Sequence, residues 1–405
     1  MGSPVDADGW LQAAQELAPQ LCRWRRHLHS QPELSGQEEQ TSAYIAAELA
    51  AMGIAARRSP GWAVTADLDL GDGPLVALRA DIDALPIHEE TGLPFASARP
   101  GIMHACGHDG HTAILLGAAR LLLGRLRGGR VRLIFQPAEE VPPGGAGPLI
   151  AAGVLDGVAA IAGLHLWCPL PSGTAVVTSG PAWAAADRFR VVLTGHSGHG
   201  AKPHEAVDAL EAACRTVSAL QSIVSRSVAP LDPAVVTVGT LHAGEAFNIV
   251  AGRAVLEGTV RAFDERVRQL VKSRIAQVVT HTAAAAGARA EIEYVDGYPP
   301  LHNDPTVAEL VRAAAGDILG VAAVAAGPQE MAADDFARYL EHVPGCYLSL
   351  GAAAPGGPDY PNHHSRFCID EAVLPSGAAI LAATAQRLLG QCADGRVAPG
   401  TERRP

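Results

Sequence analysis

The chain contains no run of about 18 consecutive apolar residues, which a membrane-spanning helix would need. Basic residues form no block beyond Arg23, Arg25 and Arg26, and the net charge is −11. Because nucleic acids attract positively charged surfaces, this balance argues against a nucleic-acid partner. The first ten residues also lack the basic and apolar regions of a secretory signal, so we expect a cytoplasmic protein that does not bind a membrane.

Cysteine is sparse: the seven cysteines are far apart and form no CxxC motif. Their odd number and wide spacing indicate reduced thiols rather than a disulfide framework. Short-period repeats and low-complexity tracts are absent as well. With 405 residues the chain is longer than one hydrophobic core usually supports, so we expect two domains.

The hydrophobic periodicity changes along the chain. Before about residue 182, strand-like segments such as Leu75–Ala80 and Val131–Phe135 alternate with helical ones, and Ser35 with Glu38 forms a capping box that predicts a helix start. Between 183 and 297 the order is strand, helix, two strands, helix, strand, as in a ferredoxin-like α+β sandwich. We therefore predict a discontinuous α/β catalytic domain over 1–182 and 298–405, with a mixed sheet flanked by helices, and an inserted α+β domain over 183–297.

Histidine is concentrated between residues 104 and 111, where three histidines and one cysteine share eight positions. Cys106 and His108 are two residues apart, so in an extended segment their side chains can point the same way. A thiolate and an imidazole that face one pocket are typical of a zinc-type site. A structural histidine turn before a helix is the alternative for this segment taken alone.

Two adjacent glutamates, Glu139 and Glu140, follow the predicted strand Val131–Phe135. In open α/β sheets the active site lies at the carboxyl ends of the strands, where one glutamate could bind metal and the other could transfer protons. A pair of solvated loop glutamates is the alternative. His165 ends another apolar run and His363 lies in a loop rich in proline and glycine, so four segments offer ligands and favour a shared metal site.

The motifs together resemble the aminoacylase-type metallopeptidases, in the branch of hippurate hydrolases, bacterial N-acyl-amino-acid amidohydrolases and plant auxin-conjugate hydrolases. The resemblance covers nearly the whole chain. It is carried by the segments Arg26–His29, Leu78–Pro86, His104–His111, Phe135–Glu140, Gly163–His165 and Met331–Phe336.

The resemblance implies two divalent metal ions per subunit, zinc or manganese, with cobalt or nickel also compatible. Cys106 would bridge them, and the other ligands would be His108, Glu140, His165 and His363. Because the family's last ligand precedes an aromatic residue by four positions, Phe367 selects His363 over His364. The resemblance further assigns Glu139 as general base and Asp83 as the carboxylate that orients a ligand.

The inserted domain resembles the family's lid and dimerisation domain. In relatives a histidine at the position of His199 stabilises the oxyanion and reaches the active site of the partner subunit, so we expect a homodimer. Asn248 and Arg261 match positions that contact substrate, although a salt-bridged strand arginine is an alternative for Arg261. The chain departs from the family pattern at Asp334, Ser365 and Ala251, where glutamate, proline and proline are usual.

These residues predict metal-dependent hydrolysis of N-acyl amino acids, with an N-acetyl or aromatic acyl group, to a carboxylic acid and an amino acid. A dipeptidase with the same mechanism is an alternative within hydrolases. A catalytically silent binding scaffold and a hydrolase that uses Cys106 as its nucleophile are alternatives of other classes.

Overall fold

The computed structural model describes residues 7–357 and 360–397. Within them the helices are α1 Ala7–Glu16, α2 Ala18–Ser30, α3 Glu39–Ala51, α4 His108–Arg125, α5 Ala146–Ala151, α6 Ala209–Ser227, α7 Glu265–Ala285, α8 Pro305–Leu319, α9 Phe336–Leu340 and α10 Val373–Ala393. The strands are β1 Ala56–Arg58, β2 Val64–Asp69, β3 Leu75–Asp81, β4 Arg130–Gln136, β5 Val158–Pro171, β6 Ala175–Val176, β7 Gly180–Trp183, β8 Ala185–Thr194, β9 Gly198–His199, β10 Ala234–Ala243, β11 Ile249–Val250, β12 Arg253–Ala262, β13 Arg289–Tyr298, β14 Leu301–Asn303, β15 Val324–Ala325 and β16 Gly345–Ala353.

The chain divides into two compact units. The smaller unit comprises Pro181–Leu301 and Gln329–Ala333, and the larger unit comprises the remaining described residues. The sequence placed residues 329–333 in the catalytic domain because they follow the predicted boundary at 298. In the structure the backbone N–H of Ala184 donates to the carbonyls of Glu330 and Ala332, and this long-range pairing joins the segment to the start of the smaller unit.

The larger unit is built on an eight-stranded mixed sheet with the order β1-β2-β4-β3-β5-β16-β6-β15. Its four central strands, β4, β3, β5 and β16, run parallel to their neighbours in this group. Every residue of β3 is buried, as expected for a parallel strand covered on both faces. The α/β class with a mixed sheet is thus confirmed, and the parallel strands end at a common edge.

The smaller unit has an antiparallel sheet with the order β10-β12-β8-β13. Helices α6 and α7 begin at the side-chain caps Asp208 and Asp264, which accept hydrogen bonds from backbone N–H groups of the first turn. Both helices contribute buried apolar residues to one core with the sheet. This is the predicted ferredoxin-like order of strands and helices. Among the described residues, no helix has the length and apolar character required to cross a membrane.

Candidate metal centre

The predicted ligands of the larger unit come from the ends of its central strands and the loops beside them. Strand β4 ends at Gln136 and is followed by Glu139 and Glu140, while His165 lies within the buried part of β5. Asp83 follows the end of β3 by two residues. Since these strands are parallel, their carboxyl ends bring the side chains to one edge of the sheet.

Cys106 and His108 lie at the start of α4. The sequence suggested an extended segment here, but the structure differs. Gly107 caps the helix with a φ of 98°, and His108 is the first helical residue. A Cβ atom at Gly107 would lie 3.3 Å from the Leu166 side chain and 3.4 Å from His111 Nε2. The left-handed backbone and the close packing against Leu166 and His111 both favour glycine at this position between the two ligands.

The structure brings the five predicted ligands into two groups that share Cys106. One group contains Cys106, His108 and His165, and the other contains Cys106, Glu140 and His363; within each group the ligand atoms lie within 4.8 Å of one another. Cys106 Sγ lies 3.4 Å from His165 Nε2, and His363 Nε2 lies 3.3 Å from Glu140 Oε1. A cysteine shared by two such groups would suit a pair of bridged cations.

Within residues 7–357 and 360–397, two buried ligand atoms, His108 Nε2 and Glu140 Oε1, have no partner with hydrogen-bond geometry, although the Glu140 atom lies within ion-pair distance of His363. They lie 3.8 Å apart. The other ring nitrogen of His108, Nδ1, donates to the carbonyl of Asp83 at 2.9 Å, so Nε2 is the atom that faces the centre. Leaving a buried polar atom unpaired costs about 1–3 kcal/mol, and a divalent cation would satisfy both atoms. The thiolate, imidazole and carboxylate donors thus fit a metal of the zinc or manganese type.

Charge in this pocket is dominated by carboxylates. Burial raises the pKa of the Cys106 thiol well above its usual value, and the charges of Glu140 and Glu139 raise it further. Burial lowers the pKa of His108, but the adjacent Asp81 and Asp83 outweigh this and raise it to about 10. The charges of nearby carboxylates raise both pKa values, and bound cations would offset this excess of negative charge.

Asp83 holds two ligand segments in place. Its carboxylate accepts hydrogen bonds from the backbone N–H of Glu140 at 3.0 Å and from the Ser35 hydroxyl at 2.6 Å, and its Oδ1 lies 3.2 Å from His108 Nδ1. The capping-box prediction at Ser35 was wrong, because the hydroxyl is committed to Asp83 and α3 begins four residues later, at Glu39. Ser35 therefore supports the site rather than a helix terminus.

A further layer of buried side chains, which the sequence reasoning missed, lies behind the ligands. His111 Nδ1 donates to Asp81 at 2.6 Å, and His111 Nε2 accepts from the backbone N–H of Leu166 at 2.8 Å. Asp81 also accepts from the buried guanidinium of Arg79 at 2.7 Å. Asp81 and His111 both lie inside motifs that were singled out for other residues, so the signal was present, but their partners are distant in sequence.

Glu139 is buried beside two further acids. One oxygen of each of Glu139, Asp334 and Asp335 lies within 4.8 Å of the others. Arg79 pairs with Asp335 at 2.8 Å and with Asp334 at 3.3 Å, which places one guanidinium against both acids. Burial raises the pKa of Glu139 well above its usual value, and the charge of Asp334 adds to the effect.

The three predicted residues of the smaller unit have a different environment. His199 is exposed on β9, where its Nδ1 accepts from the backbone N–H of Ala201 at 3.0 Å. Asn248 is also exposed, and its carbonyl accepts from Gly200 N–H at 2.8 Å, so the two residues share one loop cluster. The guanidinium of Arg261 is half-buried and donates to oxygen atoms of Thr259, Val260 and Met331, not to a carboxylate.

Comparisons with known proteins agree with this architecture. Residues 77–387 match the peptidase family M20/M25/M40. The chain is 44% identical over 381 residues to the N-acetyl-L-cysteine deacetylase of Bacillus subtilis, covering 92% of this chain and 89% of that protein. It is 45% identical over 294 residues to the N-acyl-L-amino acid amidohydrolase of Geobacillus stearothermophilus, covering 71% and 79%.

A solved structure is similar as well. The crystal structure of the YXEP protein of Bacillus subtilis, described as a dinuclear metal binding peptidase from the M20 family, has a TM-score of 0.80 with this chain. The two sequences are 38% identical, and the match covers 93% of this chain and 99% of that one. The similarity therefore extends over both units.

Proposed function

The chain belongs to the peptidase family M20/M25/M40, in its amidohydrolase branch, and on this premise we propose that it hydrolyses the amide bond of N-acyl amino acids. The substrates carry an N-acetyl or an aromatic acyl group, and the products are a carboxylic acid and a free amino acid. The observation that carries the proposal is the convergence of five ligand side chains, in two groups that share Cys106, beside the buried Glu139.

We assign Cys106, His108 and His165 to one metal ion, and Cys106, Glu140 and His363 to the other. When bound, the pair of divalent ions supplies the Lewis acidity that activates a water molecule and polarises the amide carbonyl. Zinc and manganese both suit these donors, and cobalt and nickel are compatible with them. Asp83 keeps His108 in the tautomer that presents Nε2 to the centre.

Glu139 acts as the general base and then as the general acid. It accepts a proton from the attacking water and delivers that proton to the leaving nitrogen. Its burial among carboxylates raises its pKa, which favours a side chain that must both take up and release a proton. The guanidinium of Arg79 limits the repulsion by pairing with the two neighbouring acids, Asp334 and Asp335.

The smaller unit supplies groups for substrate recognition in this proposal. His199 donates a hydrogen bond to the oxyanion that forms at the amide carbon, in the active site of a second copy within a homodimer. Asn248 and Arg261 contact the substrate. The exposure of His199 and Asn248 supports these roles, because both side chains are open to groups outside their own unit.

The proposal is tested with purified protein and matched substrates. N-acetyl and N-benzoyl amino acids are compared with dipeptides that have a free amino group, before and after chelation, with zinc, manganese, cobalt or nickel added back and metal content measured. We expect turnover of acylated substrates that is lost with chelator and restored by metal. A preference for free dipeptides would indicate a dipeptidase, and tight binding of acyl amino acids without turnover would indicate a silent scaffold.

A further inference from the structure

Three ligand segments meet at the side chain of Asn362. Its Nδ2 donates to the carbonyl of Cys106 at 3.0 Å and to the carbonyl of Leu166 at 3.1 Å. Its Oδ1 accepts from the backbone N–H of Cys168 at 3.1 Å. Asn362 itself directly precedes His363. One carboxamide therefore connects the Cys106 turn, the part of β5 that carries His165, and the loop that carries His363.

These hydrogen bonds influence the tautomer of a ligand, His165, as well as the positions of the ligands. The Leu166 carbonyl that Asn362 holds also accepts from His165 Nδ1 at 2.9 Å. Because that bond uses Nδ1 of His165, the other nitrogen, Nε2, is left facing Cys106 Sγ at 3.4 Å. Asn362 thus orients the Leu166 carbonyl, which selects the tautomer of His165, and it also holds the backbone of Cys106.

The loop that carries His363 is itself constrained. His363 has a φ of 70°, which is uncommon for a residue with a side chain, and its N–H donates to the carbonyl of Ala105 at 2.7 Å. Such a conformation persists only where surrounding contacts hold it. The three hydrogen bonds of the preceding carboxamide supply contacts of this kind, on the same turn that carries Cys106.

We propose that Asn362 is a positioning residue that sets the separation of Cys106, His165 and His363 and thereby the affinity and geometry of the metal pair. The inference rests on the proposed metal-dependent function. It requires a carboxamide: an aspartate of the same shape would place one carboxylate oxygen against the carbonyls of Cys106 and Leu166, where Nδ2 of the amide now donates two hydrogen bonds.

The chain offers a matched control in Asn303. This asparagine is fully buried, its Nδ2 donates to the carbonyls of Thr178 and Tyr347 at 2.8 and 3.0 Å, and its Oδ1 accepts from Tyr347 N–H at 2.8 Å. The pattern is the same as at Asn362, two carbonyls and one N–H, but none of these groups belongs to a ligand segment. Asn303→Asp therefore reproduces the electrostatic conflict at a carboxamide that has no hydrogen bond to a ligand segment.

The experiment compares wild-type protein, Asn362→Asp, Asn362→Ala and Asn303→Asp in three measurements. These are cobalt affinity by competition with a chromogenic chelator, the thiolate-to-cobalt absorption band, and the thermal unfolding midpoint. We expect Asn362→Asp to weaken cobalt binding by about 10–100-fold and to change the absorption band, because loss of groups that orient metal ligands has effects of that size. Asn362→Ala, which removes the bonds without adding charge, should shift both in the same direction by less.

Asn303→Asp should lower the unfolding midpoint while the folded protein keeps wild-type cobalt affinity and absorption. If Asn362→Asp and Asn362→Ala bind cobalt as wild type does, with an unchanged band, Asn362 has no positioning role. If Asn362→Asp does not fold, the alanine variant decides the question. Wild-type protein that takes up no cobalt would instead count against the proposed function, so the two failures are distinguishable.

Discussion

The two units hold their site residues in opposite ways. In the larger unit Cys106, His108 and His165 are buried, whereas His363 at the rim is exposed. The buried ligands are held by further side chains, as Asp83 holds His108 and as His111 holds the backbone beside His165. In the smaller unit His199 and Asn248 are exposed and lie in a loop cluster held by backbone hydrogen bonds. Metal ligands bind best when surrounding contacts already hold them in the binding geometry, whereas side chains that contact a substrate must be accessible from solvent.

The largest effect is expected in the larger unit, at the adjacent residues Glu139 and Glu140. We expect Glu139→Gln to lower kcat by about 10²–10⁴-fold with two metal ions retained, because it removes proton transfer alone. Glu140→Gln is the matched variant, and it should lose metal as well as turnover. The measurements are steady-state kinetics and metal content. Unchanged turnover in Glu139→Gln would remove Glu139 from its role and bring Cys106 forward as a nucleophile.

The next largest effect concerns the smaller unit. His199→Ala should lower kcat by about 10²–10³-fold, the usual loss for one oxyanion donor. Because His199 is exposed, its replacement should leave metal content and the unfolding midpoint unchanged. His196→Ala, in the same loop and also exposed, serves as the control and should keep near-normal kinetics. Equal losses in both variants would mean that the loop, not the imidazole, matters.

The third effect concerns the folding stability of the smaller unit, to which the buried carboxylate of Asp187 contributes. In the smaller unit Asp187 accepts hydrogen bonds from Arg268, Tyr294 and Gly297. Burial raises the pKa of Asp187, but the hydrogen bonds and charge of Arg268 outweigh it and lower the pKa below its usual value. A depressed carboxyl pKa stabilises the fold above the unfolded value of about 3.9, and the contribution is lost as pH falls through the folded pKa.

We therefore expect Asp187→Asn to lower the free energy of unfolding at pH 7 by about 3–5 kcal/mol, since it leaves the buried Arg268 without its main partner. The difference from wild type should shrink below about pH 4. Denaturant titrations at several pH values measure both quantities. A difference that stays constant with pH would exclude the carboxylate as its source, and a loss of bound metal would show that the units do not respond separately.

The smallest effect is predicted for Phe247, which neighbours Asn248 and is fully exposed. Phe247→Ser should change the free energy of unfolding by less than about 0.5 kcal/mol, as is usual for exposed positions. Leu231→Ser, at a second exposed apolar position of the same unit, is the control. A destabilisation of Phe247→Ser that depends on protein concentration would contradict this and show that a second copy covers the residue.

The sequence indicated which side chains converge at the candidate site better than it indicated which residues support them. Cys106, His108, Glu140, His165 and His363 could be proposed because their residue types and motif positions carry a recognisable chemistry. The supporting contacts join residues far apart in the chain, such as His111 with Leu166 and Asn362 with Cys106. Local patterns contain no information on such pairs, because only the folded sheet brings them together.

Local reasoning also failed where a tertiary contact outweighed a local preference. Ser35 and Glu38 have the spacing of a capping box, yet Ser35 donates to Asp83 and Glu38 accepts from the backbone N–H groups of Gly36 and Ala138. The strand and helix order, in contrast, was predicted well, because periodicity is a property of each segment alone. Residues 329–333 were placed in the other unit because the contact that joins them to Ala184 links residues far apart in the sequence.

The interruption of the larger unit has a consequence for biosynthesis. About 200 residues separate His165 from His363, and the whole smaller unit is synthesised in that interval. At a typical elongation rate of 5–20 residues per second, four of the five proposed ligands are synthesised roughly 10–40 s before the last one, His363. On the proposed assignment, the ligand group Cys106, His108 and His165 is synthesised before the insert, whereas the group that contains His363 is complete only after it.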